Sequence, residues 1–297
     1  MESYVLILVG DYYWNVSNPL IRPNLQIVAQ RIRAKVLEIS HSAHKGHIGS
    51  ALSICEIAAV VASNAEGIGT QNTSRDRVVL SKGHAALAWY SALEQIGVIT
   101  LETLNTYMCD GSLLGTHPDP QLDGVDFMTG SLGQGIGYGV GAALAGWLKK
   151  DERKSFVVLS DSELNEGSTW ESAALAGQLK LKNLVVFLDL NGQQALGKTK
   201  DILPTSIAVG GWEKFGWCIS RVNGHSTAEL QHCLDTHKAS GEGPLLIVAS
   251  TIAGKGVSFM EGEIKWHYMP MSDNEFSDAI SQVNMRLEKL LLDTESA

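Results

Sequence analysis

Two apolar runs end in side chains suited to holding a cation. Residues 156–159 are closed by Ser160-Asp161, and residues 184–188 lead into Asp189-Leu190-Asn191, with a stretch of helical character between them. A parallel βαβ crossover brings both run ends to the same carboxyl edge of a sheet, where α/β proteins bind ligands. Asp161 offers a carboxylate and Asn191 an amide oxygen. A hard cation such as Mg2+ takes one or two such oxygens and fills its shell with water and phosphate. The spacing thus outlines a magnesium and diphosphate site. Ser168 and Glu171 fit an S-x-x-E capping box at the start of the intervening helix. On these residues alone a second reading stands beside the first: Asp161 and Asn191 as ordinary caps and turns of α/β loops.

The elements that must position these groups follow from periodicity. Apolar spacing predicts helices over residues 25–39, 53–62 and 85–96, a glycine-rich helix over 132–149 and an amphipathic terminal helix over 274–292. In the glycine-rich helix, Gly135, Gly139 and Gly146 lie near one face and allow close backbone approach. Short apolar runs at 156–159, 184–188, 218–222 and 245–249 read as parallel strands. Alternation of strands with helices predicts a doubly wound parallel sheet flanked by helices, an α/β fold. The run Gly133-Gln134-Gly135-Ile136-Gly137-Tyr138-Gly139 is not a dinucleotide fingerprint, because its spacing is G-x-G-x-G and no strand immediately precedes it.

The 297 residues, 44% of them apolar, suffice for a large core. A net charge of −9 argues against nucleic acid or an anionic membrane surface as the main partner. An anionic ligand would be met by metal and backbone N–H groups instead. Cys55, Cys109, Cys218 and Cys233 show no C-x-x-C or zinc spacing, which fits buried thiols in a reducing cytoplasm. The first residues hold a short apolar run with no basic segment before it, ended by Gly10-Asp11. They read as an arm over residues 1–24 ahead of one domain over 25–297, rather than as a signal peptide or a membrane span.

Four ordered motifs carry a resemblance. The first is Lys45-Gly46-His47-Ile48-Gly49 with Leu52-Ser53 and Glu56. The second runs from Asp76-Arg77-Val78-Val79-Leu80 through Ser81-Lys82-Gly83-His84-Ala85. The third joins His117-Pro118 to Thr129-Gly130-Ser131-Leu132-Gly133-Gln134-Gly135. The fourth comprises Ser160-Asp161-Ser162, Asn165-Glu166-Gly167, Trp170-Glu171 and Asp189-Leu190-Asn191. Across residues 25–267 the chain resembles the thiamine-diphosphate-binding half of transketolase.

That resemblance implies thiamine diphosphate and Mg2+ as cofactors, and the diphosphate-binding domain fold. It implies metal ligation by Asp161, Asn191 and the backbone carbonyl of Gln193, and cofactor contacts from His84, Gly130, Leu132, Asp161, Ser162, Glu166, Asn191 and His267. His47 and His117 would face the substrate, with His84 and His267 closer to the diphosphate; imidazoles near neutrality relay protons at carbonyl and alcohol oxygens. His41, His44, His225, His232 and His237 are left as surface or structural. The family's activating glutamate belongs to a following pyrimidine-binding domain, which this sequence lacks. The resemblance therefore implies one subunit of a split enzyme, with a pyrimidine-domain partner, two copies of each chain in a heterotetramer, and Glu166 linking to the partner's glutamate. One departure stands out: the family's G-D-G is here Ser160-Asp161-Ser162, and Ser162 either crowds the phosphate or donates its hydroxyl to it. The donor would be a ketose phosphate or, in a specialised pathway, a 2-oxo acid such as pyruvate. A third reading is a non-catalytic scaffold subunit with a decayed site.

Overall fold

The computed structural model describes residues 24–202 and 205–295, so the expected N-terminal arm lies almost wholly outside the described residues. Five parallel strands form the central sheet: β1 (Arg77–Leu80), β2 (Ser155–Ser160), β3 (Leu184–Leu190), β6 (Cys218–Asn223) and β7 (Leu245–Ser250), in the order β1-β2-β3-β7-β6. A separate antiparallel pair, β4 (Gln193–Gln194) and β5 (Gly197–Lys198), follows β3. The four expected strands are all present. β1 was not marked by periodicity because four residues carry no measurable alternation.

Side chains alternate across the sheet, as the pleat requires. Val78, Leu80, Phe156, Val158, Val185, Phe187 and Ile247 pack into one apolar layer with α1 (Leu25–Ser42), α3 (Cys55–Asn64), α4 (Ala86–Gln95), α10 (Thr227–Ser240) and α12 (Asp273–Glu295). Val79, Val157, Leu159, Val186, Leu188, Leu246 and Val248 pack into the other with α6 (Gly135–Lys149), α7 (Gly167–Gln178) and α9 (Thr205–Lys214). Each such side chain contributes roughly 1.5–3 kcal/mol when fully buried. The result is the expected doubly wound α/β layer structure. Helix α2 (Ile48–Ser53) and the single turns α5 (Leu101–Leu104), α8 (Thr199–Ile202) and α11 (Lys265–Tyr268) lie in the connections.

Three local expectations change. The helix expected over 53–62 is two helices, α2 and α3, broken at Ile54. The glycine-rich helix starts at Gly135 rather than 132, because Gly133 has φ +80° and turns the chain first. Its glycines do pack closely: a Cβ at Gly139 would stand 2.2 Å from Val157 Cγ2, and one at Gly135 would stand 2.4 Å from Ser81 Oγ. The Ser168/Glu171 capping box is not formed. The N-cap of α7 is Glu166 with no side-chain cap, and Ser168 Oγ donates instead to the Gly133 carbonyl at 2.8 Å. A capping box forms one turn earlier, where Ser160 and Glu163 exchange side-chain and backbone bonds as β2 runs into the 3-10 turn Asp161–Asn165.

Candidate active site

Register carries the expected residues to one edge. Ser160 on β2 pairs with Asp189 on β3, which in turn pairs with Ala249 on β7, so Asp161, Asn191 and Thr251 leave neighbouring strand ends together. Asp161 is 1% exposed. Its Oδ2 accepts from Gly192 N at 3.1 Å and Thr199 Oγ1 at 2.6 Å. Its Oδ1 is buried and has no hydrogen-bond partner among the described residues. Burial first, with Asp189 adding repulsion against the opposing Thr199 hydrogen bond, pushes the carboxyl up to about 7. A buried, half-satisfied carboxylate is costly unless a cation completes it. That orphaned oxygen is what a Mg2+ ligand requires, so the donor set fits a hard cation.

Asn191 lies beside it, its Nδ2 donating to Asp189 Oδ2 at 3.0 Å and its Oδ1 accepting from Gln193 N at 2.9 Å. A small cleft brings Asn191, Gln193, Ser50, Glu263 and His267 together. The Gln193 side chain bonds the Gly262 carbonyl, tying the β4 hairpin to the loop that leads to α11. Ser162 Oγ lies 2.9 Å from Ser160 Oγ, so the two serines that replace the glycines form a hydroxyl pair next to Asp161.

The histidines converge because glycines let backbone segments touch. His47 sits at the N-cap of α2 with φ +62°. A Cβ on the preceding Gly46 would stand 2.2 Å from the Tyr268 carbonyl oxygen, so this turn lies directly against α11, which carries His267. His84 follows Gly83, where a Cβ would stand 2.8 Å from Thr129 Oγ1. The rings of His47, His84 and His267 form a triangle with centroids 5.4–5.6 Å apart. His117 lies against Gly130, whose Cβ would be 3.1 Å from its ring. His47 therefore packs against both members of the pair assigned to the diphosphate, and these three rings form one cluster. His267 Nδ1 is 3.3 Å from Ser50 Oγ, while His47 Nδ1 is buried with no hydrogen-bond partner among the described residues.

All four imidazoles are held toward the neutral form. Burial is the leading cause for each: His267 falls to about 4, with His47 and Lys82 adding to it, and His84 falls well below its usual value with Lys82 next. His47 and His117 are lowered as well, His47 also by its neighbour His117. A neutral imidazole donates a hydrogen bond from one ring nitrogen and accepts a hydrogen bond or a proton at the other.

Two other expected residues, Leu132 and Glu166, meet at Gly133. Leu132 is half-buried in the turn before α6. Glu166 is exposed, and among the described residues its carboxylate has no hydrogen-bonding partner. His225, set aside as surface or structural, is structural: its Nδ1 is 3.1 Å from Glu56 Oε2 and its Nε2 accepts from Ile252 N at 2.9 Å. Sequence reasoning missed three buried groups. Glu163 accepts from Ser81 Oγ, from Gly133 N at 2.9 Å and from Ser160 N at 2.8 Å, knitting three motifs together. Lys82 and Asp189 form a buried ion pair, 1% and 0% exposed. A carboxylate inside the apolar run of β3 was the available signal.

Known proteins share this sequence and fold. The chain is 34% identical over 269 residues to an apulose-4-phosphate transketolase subunit from Phocaeicola vulgatus, covering 90% of this chain and 96% of that protein. It is 36% identical over 264 residues to a 6-deoxy-6-sulfo-D-fructose transketolase subunit from a Clostridium species, with 88% and 96% covered. The crystal structure of Campylobacter jejuni transketolase superposes with a TM-score of 0.81 at 28% identity, covering 89% of this chain and 43% of that one. The chain thus spans less than half of that solved transketolase. Residues 25–291 match the family described as the transketolase thiamine diphosphate binding domain, and the chain belongs to that family.

Proposed function

We propose that this chain is the diphosphate-binding subunit of a two-chain transketolase-like enzyme, transferring a two-carbon ketol unit with thiamine diphosphate and Mg2+ and completed by a pyrimidine-domain subunit. The observation that carries the reading is the unpartnered, buried Asp161 Oδ1 beside Asn191, in a chain nearly coextensive with relatives called subunits. Asp161, Asn191 and the Gln193 carbonyl would hold the cation. When bound, thiamine diphosphate supplies a nucleophilic thiazolium carbon and an electron sink for carbon–carbon cleavage.

The chain's own groups divide the remaining work. Neutral His47 and His117 hold substrate hydroxyl and carbonyl oxygens and move protons there, while His84 and His267 face the diphosphate. Gly130 and Leu132 present backbone groups to the rings. Ser162 donates its hydroxyl to a phosphate oxygen. Glu166, exposed at the start of α7, reaches the partner's activating glutamate. The assembly holds two copies of each chain. Cys55, Cys109, Cys218 and Cys233 are free thiols, which suits a cytoplasmic enzyme. No helix among the described residues is long and apolar enough to cross a membrane.

The test is to purify the chain alone and with a pyrimidine-domain partner, then measure thiamine-diphosphate-dependent ketol transfer from a ketose phosphate together with complex mass. Activity only in the mixture, at the mass of two copies of each chain, is expected. Full activity of the chain alone would overturn the two-chain reading. A cofactor-loaded complex inactive on sugar phosphates but active on pyruvate would replace the donor.

A further inference from the structure

We infer that Asp189, held by Lys82, is a positioning residue that turns the Asn191 amide so that its oxygen, not its nitrogen, is presented to the cation. The inference rests on the reading of Asp161 and Asn191 as the Mg2+ site. An amide is nearly symmetric in shape, and its partner decides which end faces where. Asp189 Oδ2 already accepts from Lys82 Nζ and Ser53 Oγ, so it acts as an acceptor and the Asn191 atom 3.0 Å from it is the NH2 group. Gln193 N–H, which only donates, lies 2.9 Å from the other end and requires an oxygen there. The two contacts agree, and the amide oxygen keeps a second lone pair for a metal.

Asp189 can impose this because nothing lets it move. It is 0% exposed and lies within β3, between the register partners Ser160 and Ala249. Lys82 pairs with its Oδ2, Ser53 Oγ donates to the same oxygen at 2.7 Å, and Thr251 Oγ1 donates to Oδ1. Lys82 supplies a compensating positive charge beside this buried side chain. These donors come from α2, from the turn before His84, and from the end of β7. One carboxylate thereby registers the Asn191 oxygen against the segments that carry the histidines. Outer partners of this kind fix ligand orientation in metal sites.

The test is a charge swap read by Mg2+ affinity rather than by activity. The full chain is titrated calorimetrically with Mg2+ in the presence of thiamine diphosphate. Asp189→Asn frees the amide to rotate and is expected to weaken Mg2+ binding roughly 10–100-fold. Asn191→Asp is expected to weaken it by a similar factor, although it adds a negative charge to a cation site, because the new carboxylate opposes Asp189. In the double variant Asp189→Asn/Asn191→Asp, a carboxylate has no wrong end and the net charge beside Lys82 is restored. Affinity should return to within about threefold of the wild type, a coupling that independent structural damage does not produce. Unchanged binding in Asp189→Asn, or losses that add in the double variant, would overturn the inference. Should Asp189→Asn not fold, Asn191→Asp alone decides it, and tighter Mg2+ binding there would overturn it. A wild type that binds no Mg2+ would instead remove the metal site itself, and the inference with it.

Discussion

Gly46 meets Tyr268 so closely that a Cβ at residue 46 would stand 2.2 Å from the Tyr268 carbonyl oxygen and 2.7 Å from its carbonyl carbon. The obstacle is backbone, which has no rotamer to yield. Through this contact the turn carrying His47 and the helix carrying His267 share one wall of the site.

Gly46→Ala should therefore force the two segments apart. The expected cost is about 1–3 kcal/mol of stability, read as a lower urea midpoint. Thiamine diphosphate affinity should fall with it, since the ring triangle opens. Wild-type stability in this variant would show that the segments are not packed as described.

Asp161 predicts opposite effects on binding and on ligand-free stability. Asp161→Ala and Asp161→Asn should both abolish most Mg2+-dependent cofactor binding, because each removes the carboxylate from the cation. Without ligands, Asp161→Asn should melt no lower than the wild type at pH 8, since it removes a buried charge with an unpartnered oxygen. Calorimetry and thermal melting on the same samples check both halves. Full cofactor affinity in Asp161→Ala would dismiss the metal site.

His267 gives a pH dependence with a definite sign. Its folded value near 4 lies below the ordinary value of 6.5, chiefly through burial, so the unfolded chain binds a proton that the folded chain refuses. Its contribution is fully present above about pH 6.5 and is lost progressively as pH falls toward 4. The urea midpoint should decline across that window, and His267→Gln should flatten the decline. A slope identical in the variant would assign the titration elsewhere.

The roles assigned to the other histidines separate by kinetics. His47→Ala and His117→Ala should lower kcat with little loss of cofactor affinity, whereas His84→Ala should lower both. Since His47 packs against His84, with ring centroids 5.6 Å apart, parallel losses of cofactor affinity in all three would merge the two roles into one.

Glu163 should matter to folding more than to chemistry. Both its oxygens accept, from Ser81, Gly133 and Ser160, and it is 0% exposed. Glu163→Gln places an NH2 group against donors and should cost about 1–3 kcal/mol. Denaturation by urea measures it, and a neutral result would mean that the three donors find other acceptors.

The run ends at Asp161 and Asn191, the strand periods and the glycine-marked turns were legible because each is a local property: side-chain alternation, helical spacing and backbone freedom need no distant partner. Those features determined the α/β class and the sheet edge where the candidate residues gather. Other features needed the folded chain. Ser168 matched a capping pattern, yet Gly133, far away in sequence, took its hydroxyl, while the box formed at Ser160 and Glu163. His47, His84, His117 and His267 are dispersed along 221 residues, and the packing of Gly46 on Tyr268, Gly83 on Thr129 and Gly130 on His117 brings their segments together. Lys82 and Asp189 belong to two separate motifs in the sequence, and only folding pairs them in the interior. Hydrogen bonds and ion pairs between residues remote in sequence depend on which backbones come within 3 Å, and that distance is set by tertiary packing alone.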